Sequence, residues 1–359
     1  MLNKIGFKNF KCYKNTEIEL SNLTVLTGLN GMGKSTVIQG ILGLRQSYLA
    51  GRMRDGLMLS GKYVDLGNGK DILYEKAEDS EPVIGISLML DKKEYRYSYI
   101  YDAGSNVLSN AGPAQTEDIC EILSTEQFVY LAANRITPQR NYGYANYKDV
   151  DKRDFDKSGE YALQYIDAHG ADRTEHNPDT NLNMEINRWM QEITPGAQPV
   201  VTVNQDMMYS DLRFTFREAN GFKTSPYRAI NVGFGLTYVL PVIVALLTAK
   251  PGDYILIENP EAHIHPRGQR KLGELLAIAA SKGAQIILET HSDHIMNGIR
   301  IAVRNRVISK DTVCFAYFYK DEDTYEHMCL YPKLDDDGRF DYWPDGFFDE
   351  WDQSLMELI

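Results

Sequence analysis

A glycine-rich segment near the N-terminus carries a lysine and two hydroxyl groups at a spacing suited to phosphate chemistry. Residues 28–36 read Gly-Leu-Asn-Gly-Met-Gly-Lys-Ser-Thr, which is the pattern Gly-x-x-x-x-Gly-Lys-Ser of a phosphate-binding loop. The glycines allow backbone N–H groups to converge on a phosphate, because side chains would block the required φ angles. Lys34 supplies a cation for the β- and γ-phosphates, and the Ser35 hydroxyl is placed to coordinate Mg²⁺. The segment therefore predicts binding of ATP with Mg²⁺.

The nucleotide-binding residues predicted on this basis are Gly28, Asn30, Gly31, Met32, Gly33, Lys34, Ser35 and Thr36. Two elements must flank them. Residues 23–27 predict a buried strand, and residues 36–46 carry apolar side chains at helical spacing. The helix adds its positive N-terminal end to the phosphate site. The order strand, loop, helix is the context in which this motif is specific.

A loop of this kind needs an acidic residue at the end of a neighbouring buried strand to hold the metal. Residues 254–258 read Tyr-Ile-Leu-Ile-Glu, so Glu258 is the predicted metal ligand beside Ser35. A second apolar run, residues 285–288, ends shortly before His291. Helical patterns at 236–247 and 271–280 precede these two strands. Alternating helices and buried strands predict a parallel sheet.

The remaining segments predict an α/β fold with an antiparallel β layer and an inserted helical lobe. The layer is expected from β-rich runs between residues 60 and 130, and the lobe from polar helical patterns between residues 145 and 200. We expect a single domain, in which residues 1–145 and 236–359 form the nucleotide-binding lobe and residues 146–235 form the inserted lobe. The β-rich runs are Val83–Leu90, Glu94–Tyr101 and Phe128–Leu131; the N-terminal strand is predicted over Lys4–Tyr13, and the lobe helices over Gly159–Ile166 and Leu182–Ile193.

Composition and charge narrow the class of protein. The apolar stretch Tyr238–Ala249 is interrupted by Pro241 and is shorter than the roughly 20 residues of a membrane span, so we expect a cytoplasmic protein without a membrane partner. The net charge of −12 argues against a generally basic surface that coats nucleic acid. A local basic groove stays open, at Arg135 and Arg140 or at Arg300, Arg304 and Arg306.

The run Glu258–Pro266, Glu-Asn-Pro-Glu-Ala-His-Ile-His-Pro, resembles the Walker B motif and D-loop of ABC-type ATPases of the SMC, RecF and OLD kind. The likeness implies an ABC-ATPase head. Within that group the chain resembles a bacterial subfamily of predicted ATPases, some of them found in anti-phage contexts. The shared segments cover nearly the full length: Asn9–Lys11, Arg135–Tyr142, Asn231–Pro241, Glu258–Pro266 and Trp343–Glu350.

The resemblance assigns catalytic roles to four residues. Glu258 stands where an aspartate usually holds the metal, and Asn259 stands where a glutamate usually polarises the attacking water. An amide orients water but cannot accept its proton, so either Glu261 takes over as base or turnover is slow. His291 corresponds to the switch histidine that contacts the γ-phosphate, a role suited to a side chain that titrates near neutral pH.

The resemblance also assigns a second set of nucleotide contacts. Gly233, Phe234 and Gly235 occupy the place of the signature motif, which in the family crosses to the nucleotide of a partner subunit and so implies a homodimer or a higher oligomer. Gln139 is the candidate Q-loop glutamine, with Arg135 as a rival phosphate contact. Pro241, in the helix that follows the signature, predicts a kink or a helix start close enough to tolerate it.

We therefore expect an ATP-hydrolysing head that dimerises around Mg·ATP and regulates a partner effector, such as a nuclease, in anti-phage defence. The residues after His291 are too few for the nuclease domain that OLD-type relatives append, so the effector is expected on a separate chain. Two alternatives stay open. One is a RecF- or SMC-like DNA-repair ATPase, and the other is a non-hydrolysing module in which bound ATP is a structural clamp.

Overall fold

The computed structural model describes residues 1–78, 82–112, 119–174, 177, 179–217, 221–348 and 350–358. Asp349, within the segment Trp343–Glu350 named above, lies outside these residues. The strands are β1 (Leu2–Phe10), β2 (Tyr13–Glu19), β3 (Leu23–Gly28), β4 (Gly56–Met58), β5 (Val83–Leu90), β6 (Lys93–Ile100), β7 (Val107–Ser109), β8 (Phe128–Leu131), β9 (Ala197–Asn204), β10 (Tyr209–Phe216), β11 (Tyr227–Arg228), β12 (Tyr254–Glu258), β13 (Gln285–Glu289), β14 (Val313–Lys320) and β15 (His327–Leu330). The α-helices are α1 (Lys34–Leu49), α2 (Gly69–Ile72), α3 (Glu121–Ser124), α4 (Tyr147–Asp151), α5 (Ala162–His169), α6 (Leu182–Ile193), α7 (Phe234–Leu247), α8 (Pro266–Ser281), α9 (Asp293–Arg304) and α10 (Glu350–Leu358).

The first of two compact units comprises Met1–Glu126, Cys314–Lys333 and Tyr342–Ile359. It contains an antiparallel sheet in the order β2-β1-β5-β6, as the β-rich runs predict. Along β5, buried and partly exposed residues alternate over the whole strand, which is the pattern of a sheet with one face on the core. The same unit contains the strand order β15-β14-β3, and α1 follows β3 after the loop 29–33.

The N-terminal segment differs from the single strand predicted over residues 4–13. The chain turns at Lys11 and Cys12, so Phe10 pairs with Tyr13 and β2 returns antiparallel to β1. Asn9 and Lys11 adopt the left-handed backbone region, with φ of 50° and 53°, which ends β1. No glycine or proline stands at this turn, and the usual sequence signal of a hairpin is therefore missing.

The second unit comprises Gln127–Val313 and Leu334–Asp341. Its core strands run parallel in the order β13-β12-β8, with Ile255 opposite both Ile286 and Val129. The assignment of residues 128–131 to the antiparallel layer is wrong, because β8 pairs in parallel with β12. All four residues of β8 are buried, a pattern typical of parallel strands covered on both faces.

Helices and a small sheet complete the second unit. The sheet has the order β11-β10-β9, so residues 146–235 contain strands as well as helices.

Pro241 lies in the interior of α7. The helix already starts at Phe234, so it does not begin close to this proline. A buried ion pair joins Arg153 to Asp253, with guanidinium nitrogens 2.5 and 2.7 Å from the carboxylate oxygens. Within the described residues, no helix is long and apolar enough to cross a membrane.

Candidate nucleotide-binding site

The phosphate-binding loop has the backbone geometry that its glycines predict. Gly28, Gly31 and Gly33 have φ angles of 132°, 79° and 104°, a region that residues with side chains rarely adopt. A Cβ added at Gly28 would lie 2.2 Å from the backbone oxygen of Phe318. Glycine is therefore required at this position by the backbone angle and by the close approach of β14.

Lys34 is buried, and its ammonium donates hydrogen bonds to the carbonyls of Gly28 and Leu29, each at 2.8 Å. It is also the first residue of α1. Among the described residues, the N-terminus of α1 has no side-chain cap and no acidic group in its first turn. A helix end of this kind favours an anion through its N–H groups and its dipole. The loop and the helix start thus fit the phosphates of a nucleotide.

Three side chains that the sequence did not single out hold the loop. The Tyr13 hydroxyl donates to the Gly33 carbonyl at 3.0 Å, and Nδ1 of His327 lies 3.3 Å from the Met32 carbonyl. Cys12 Sγ lies 3.8 Å from the Thr36 hydroxyl. Burial raises the pKa of Tyr13 well above its usual value, so the hydroxyl stays a neutral donor.

Glu258 ends β12 directly opposite Glu289, the last residue of β13. Its Oε1 accepts a hydrogen bond from the Tyr130 hydroxyl at 3.0 Å, and its Oε2 accepts one from the Ala133 N–H at 3.1 Å. Each carboxylate oxygen can accept a second contact. Burial raises the pKa of Tyr130 well above its usual value, which keeps that hydroxyl a donor. The carboxylate is therefore oriented from β8 and fits the predicted role of metal ligand.

Arg135 does not form part of a basic surface, and that interpretation is wrong. Its side chain is buried, and its guanidinium donates to the carbonyls of Ala132, Glu258 and Asn259 at 2.6–2.8 Å. The guanidinium carbon lies 4.0 Å from the ring centre of Tyr238, a cation–π contact. Burial lowers the pKa of Arg135 to about 10, so it remains charged at neutral pH. Arg135 holds the turn after β12 against α7.

Asn259 begins that turn in the left-handed backbone region, with φ of 42°. Its N–H donates to the Glu289 carbonyl at 2.8 Å, and its own carbonyl accepts from Arg135. The side-chain Oδ1 is buried and has no hydrogen-bond partner among the described residues. A buried amide oxygen without a partner carries a desolvation cost of about 1–3 kcal/mol, which a bound water would relieve.

Glu261 and His291 are brought together at the ends of β12 and β13. Oε1 of Glu261 accepts a hydrogen bond from the backbone N–H of His291 at 2.8 Å. Burial raises the pKa of the Glu261 carboxyl, and the His291 N–H is the largest influence opposing that rise. The His291 side chain itself is exposed.

The predicted signature segment lies at the start of α7, with Gly233 immediately before the helix. The ring centres of Phe234 and His263 lie 4.4 Å apart, so this helix start contacts the turn after β12. Gln139 is exposed in the irregular segment after β8, where its backbone N–H donates to the Tyr142 hydroxyl at 3.1 Å. Its assignment as the Q-loop glutamine stays a prediction.

Replacing Gly235 with alanine is expected to destabilise the protein by about 1–3 kcal/mol. The new Cβ would lie 2.2 Å from the backbone oxygen of His263, and a backbone atom cannot move aside as a flexible side chain can. Gly233→Ala is the matched control, because a Cβ there meets no described atom within 4 Å, so its effect should stay within about 0.5 kcal/mol. Urea unfolding of both variants measures the difference, and equal effects would contradict the packing argument.

The phosphate-binding loop is that of a P-loop ATPase, and the fold is that of solved SMC heads. A solved SMC head bound to the C-terminal winged-helix domain of ScpA is 15% identical, with a TM-score of 0.54 over 93% of this chain and 98% of that chain. A Pyrococcus furiosus SMC head with an extended coiled coil, bound to the C-terminal domain of ScpA, is 13% identical, with a TM-score of 0.53 over 99% of both chains. At these identities the likeness shows the fold.

The chain belongs to the family described as AAA domain, putative AbiEii toxin, Type IV TA system, whose model matches residues 23–297. Residues 308–358 match a second model, described as a protein of unknown function, DUF3696. No curated protein matches the chain.

Proposed function

We propose that the chain binds Mg·ATP at the loop 28–36 and hydrolyses it slowly. The observation that carries this proposal is the loop itself, in which three glycines adopt positive φ before a helix start that begins with Lys34. Lys34 and Ser35 would hold the phosphates and Mg²⁺, and Glu258 would hold the metal from the end of β12. His291 would contact the γ-phosphate, and Gln139 would contact the nucleotide or its metal.

Slow hydrolysis follows from Asn259. Its amide can orient a water molecule but cannot take the proton that attack releases. The same residue favours the alternative of a non-hydrolysing module, in which ATP clamps the protein without turnover. The two functions differ in one measurable quantity, the Lys34-dependent release of phosphate.

We further propose that two copies associate around the nucleotide. Residues 221–234, the docking segment, expose Phe222, Tyr227, Ile230 and Phe234, with 73%, 48%, 41% and 37% of their surfaces accessible. No acidic residue stands between Ala219 and Gly252 in a chain of net charge −12, so this segment is locally basic. An apolar surface with a basic rim is a candidate protein contact.

A surface of opposite charge lies in the first unit. Residues 321–326 read Asp-Glu-Asp-Thr-Tyr-Glu and form the acidic loop between β14 and β15. A cavity of about 490 Å³ is lined by this loop and by Leu29 and Met32 of the phosphate-binding loop. Leu29 exposes 64% of its surface. Charge complementarity therefore supports docking of residues 221–234 of one copy on the acidic loop of another.

The family description and the sequence resemblance support a partner and a setting for this chain. The family description names the AbiEii toxin of a type IV toxin–antitoxin system, and the sequence resembles ATPases found in anti-phage contexts. We propose that the dimer regulates an effector on a separate chain, such as a nuclease, in the bacterial cytoplasm. A DNA-repair ATPase is the alternative. It would bind DNA in an ATP-dependent and strongly salt-dependent way.

Two measurements on the purified wild-type chain test the core of this function. Phosphate release with Mg·ATP should be slow but measurable, and light scattering after gel filtration should show a dimer with Mg·ATP and a monomer without it. Dimerisation without any phosphate release would favour the clamp, whereas absence of both phosphate release and Mg·ATP-dependent dimerisation would refute the proposal.

A further inference from the structure

Two polar tethers join the turn after β12 to the loop after β13 within the second unit. In the first, Glu261 Oε1 accepts the His291 N–H at 2.8 Å. In the second, Gln269 Nε2 donates to the Ile264 carbonyl at 2.8 Å, and Gln269 Oε1 accepts the Ser292 hydroxyl at 2.6 Å. His291 is thus held from the turn itself, and the adjacent Ser292 is held through Gln269 of α8, whose side chain bridges it to the same turn.

The second tether also fixes the start of α9. Ser292 Oγ accepts the Ile295 N–H at 3.0 Å and so caps that helix. The backbone of residues 291 and 292 therefore has little freedom, while the His291 ring is exposed. A fixed backbone under an exposed ring is the arrangement needed to present an imidazole in one place.

The position of the Glu261 carboxylate does not suit a base. One oxygen accepts the His291 N–H, the Thr290 side chain also interacts with the carboxylate, and the other oxygen, Oε2, is buried. A general base must come within about 2.6–3.2 Å of the water it deprotonates. A carboxylate whose unshared oxygen is sealed from solvent does not meet that condition, but it can hold a backbone N–H strongly.

We propose that Glu261 is a positioning residue for His291 and is not the base of ATP hydrolysis. The proposal rests on the proposed function, in which His291 contacts the γ-phosphate. Glu261 fixes the loop backbone, and through it the place of the imidazole. The task of orienting the attacking water is left to Asn259, which accounts for the slow turnover expected of this site.

Glu261→Gln and Glu261→Ala separate positioning from base catalysis. Glutamine keeps an acceptor oxygen for the His291 N–H but has no basicity, whereas alanine has neither. For a positioning residue, we expect kcat for phosphate release to fall about two- to fivefold in Glu261→Gln and about 10- to 100-fold in Glu261→Ala. Loss of a base would lower kcat by about 10²–10⁴-fold in both variants, and that result would overturn the proposal.

Two further readouts isolate the link to His291. Glu261→Ala combined with His291→Ala should have the kcat of His291→Ala alone, because residues acting through one contact are not additive. Hydrogen exchange of the His291 amide should become about tenfold faster in Glu261→Ala and stay within about threefold in Glu261→Gln. Additive losses, or exchange unaffected by Glu261→Ala, would overturn the proposal.

The control is Glu274→Gln, which removes a carboxylate from α8 that bonds Arg270 and Lys271 and should leave His291 exchange as in wild type. Exchange is measurable without turnover. If the wild type releases no phosphate, the proposed hydrolysis fails, and the exchange result still decides whether Glu261 holds the loop.

Discussion

Replacing Lys34 with alanine is expected to weaken Mg·ATP binding by about 10- to 100-fold, equivalent to the loss of about 1.5–3 kcal/mol of charge-assisted hydrogen bonding. The ammonium lies inside the loop, bonded at 2.8 Å to the Gly28 and Leu29 carbonyls, where a phosphate oxygen is a better acceptor than a neutral carbonyl. Phosphate release and ATP-dependent dimerisation should fall with binding. Calorimetric titration with a non-hydrolysable ATP analogue measures the affinity.

Two controls make this result specific. Lys4→Ala removes a half-exposed lysine of β1 that pairs with Glu17 at 3.5 Å and should bind nucleotide like the wild type. Thermal unfolding of Lys34→Ala should show that the variant is folded, since a buried lysine also stabilises its loop. Wild-type affinity in a folded Lys34→Ala variant would refute the assignment of the nucleotide site.

The parts of this site that the sequence predicted are local in the chain. The loop at 28–36 is contiguous, and the φ angles of its glycines follow from residue type alone. The order of strand, loop and helix was also predicted, because these three elements are consecutive in the chain. The bounds of α6, Leu182–Ile193, also match the helical pattern, because amphipathic spacing over three turns specifies a helix well.

The parts that the sequence missed depend on contacts between distant segments. His327 approaches Met32 only because β15 follows β14, the strand next to β3. From the sequence, Arg135 was a candidate for a phosphate contact or for a basic groove. Instead it bonds carbonyls that lie more than 120 residues further along the chain. No periodicity carries such information, and neither residue could be assigned before the strands were placed.

The proposed contact between two copies joins the docking segment of one copy to the acidic loop of the other. Lys223→Glu/Arg228→Glu and Glu322→Lys/Asp323→Lys should each abolish ATP-dependent dimerisation. In a two-fold dimer the same contact occurs twice, so each variant would place like charges opposite each other at both contacts, which costs several kcal/mol. Glu322 and Asp323 are chosen because both are exposed, whereas Asp321 accepts the Thr324 N–H and shapes the loop.

Mixing the two variants in equal amounts should restore the dimer. One contact then has both charges exchanged and the other has the wild-type residues on both sides, so each contact again pairs opposite charges. Light scattering with Mg·ATP measures the recovery, which should weaken as salt screens the exposed charges. Glu75→Lys/Glu78→Lys, an equal change of charge on exposed residues of the first unit, is the control and should dimerise normally.

The charge variants also distinguish a dimer contact at the docking segment from a dimer that uses other surfaces and from a nucleic-acid surface. If wild type dimerises and the charge variants do so equally well, the dimer exists but uses other surfaces. If Lys223→Glu/Arg228→Glu loses binding to a labelled oligonucleotide while its dimer persists, the docking segment is a nucleic-acid surface and the DNA-repair alternative gains support. Recovery on mixing has no such second explanation, because neither variant alone provides a contact that pairs opposite charges.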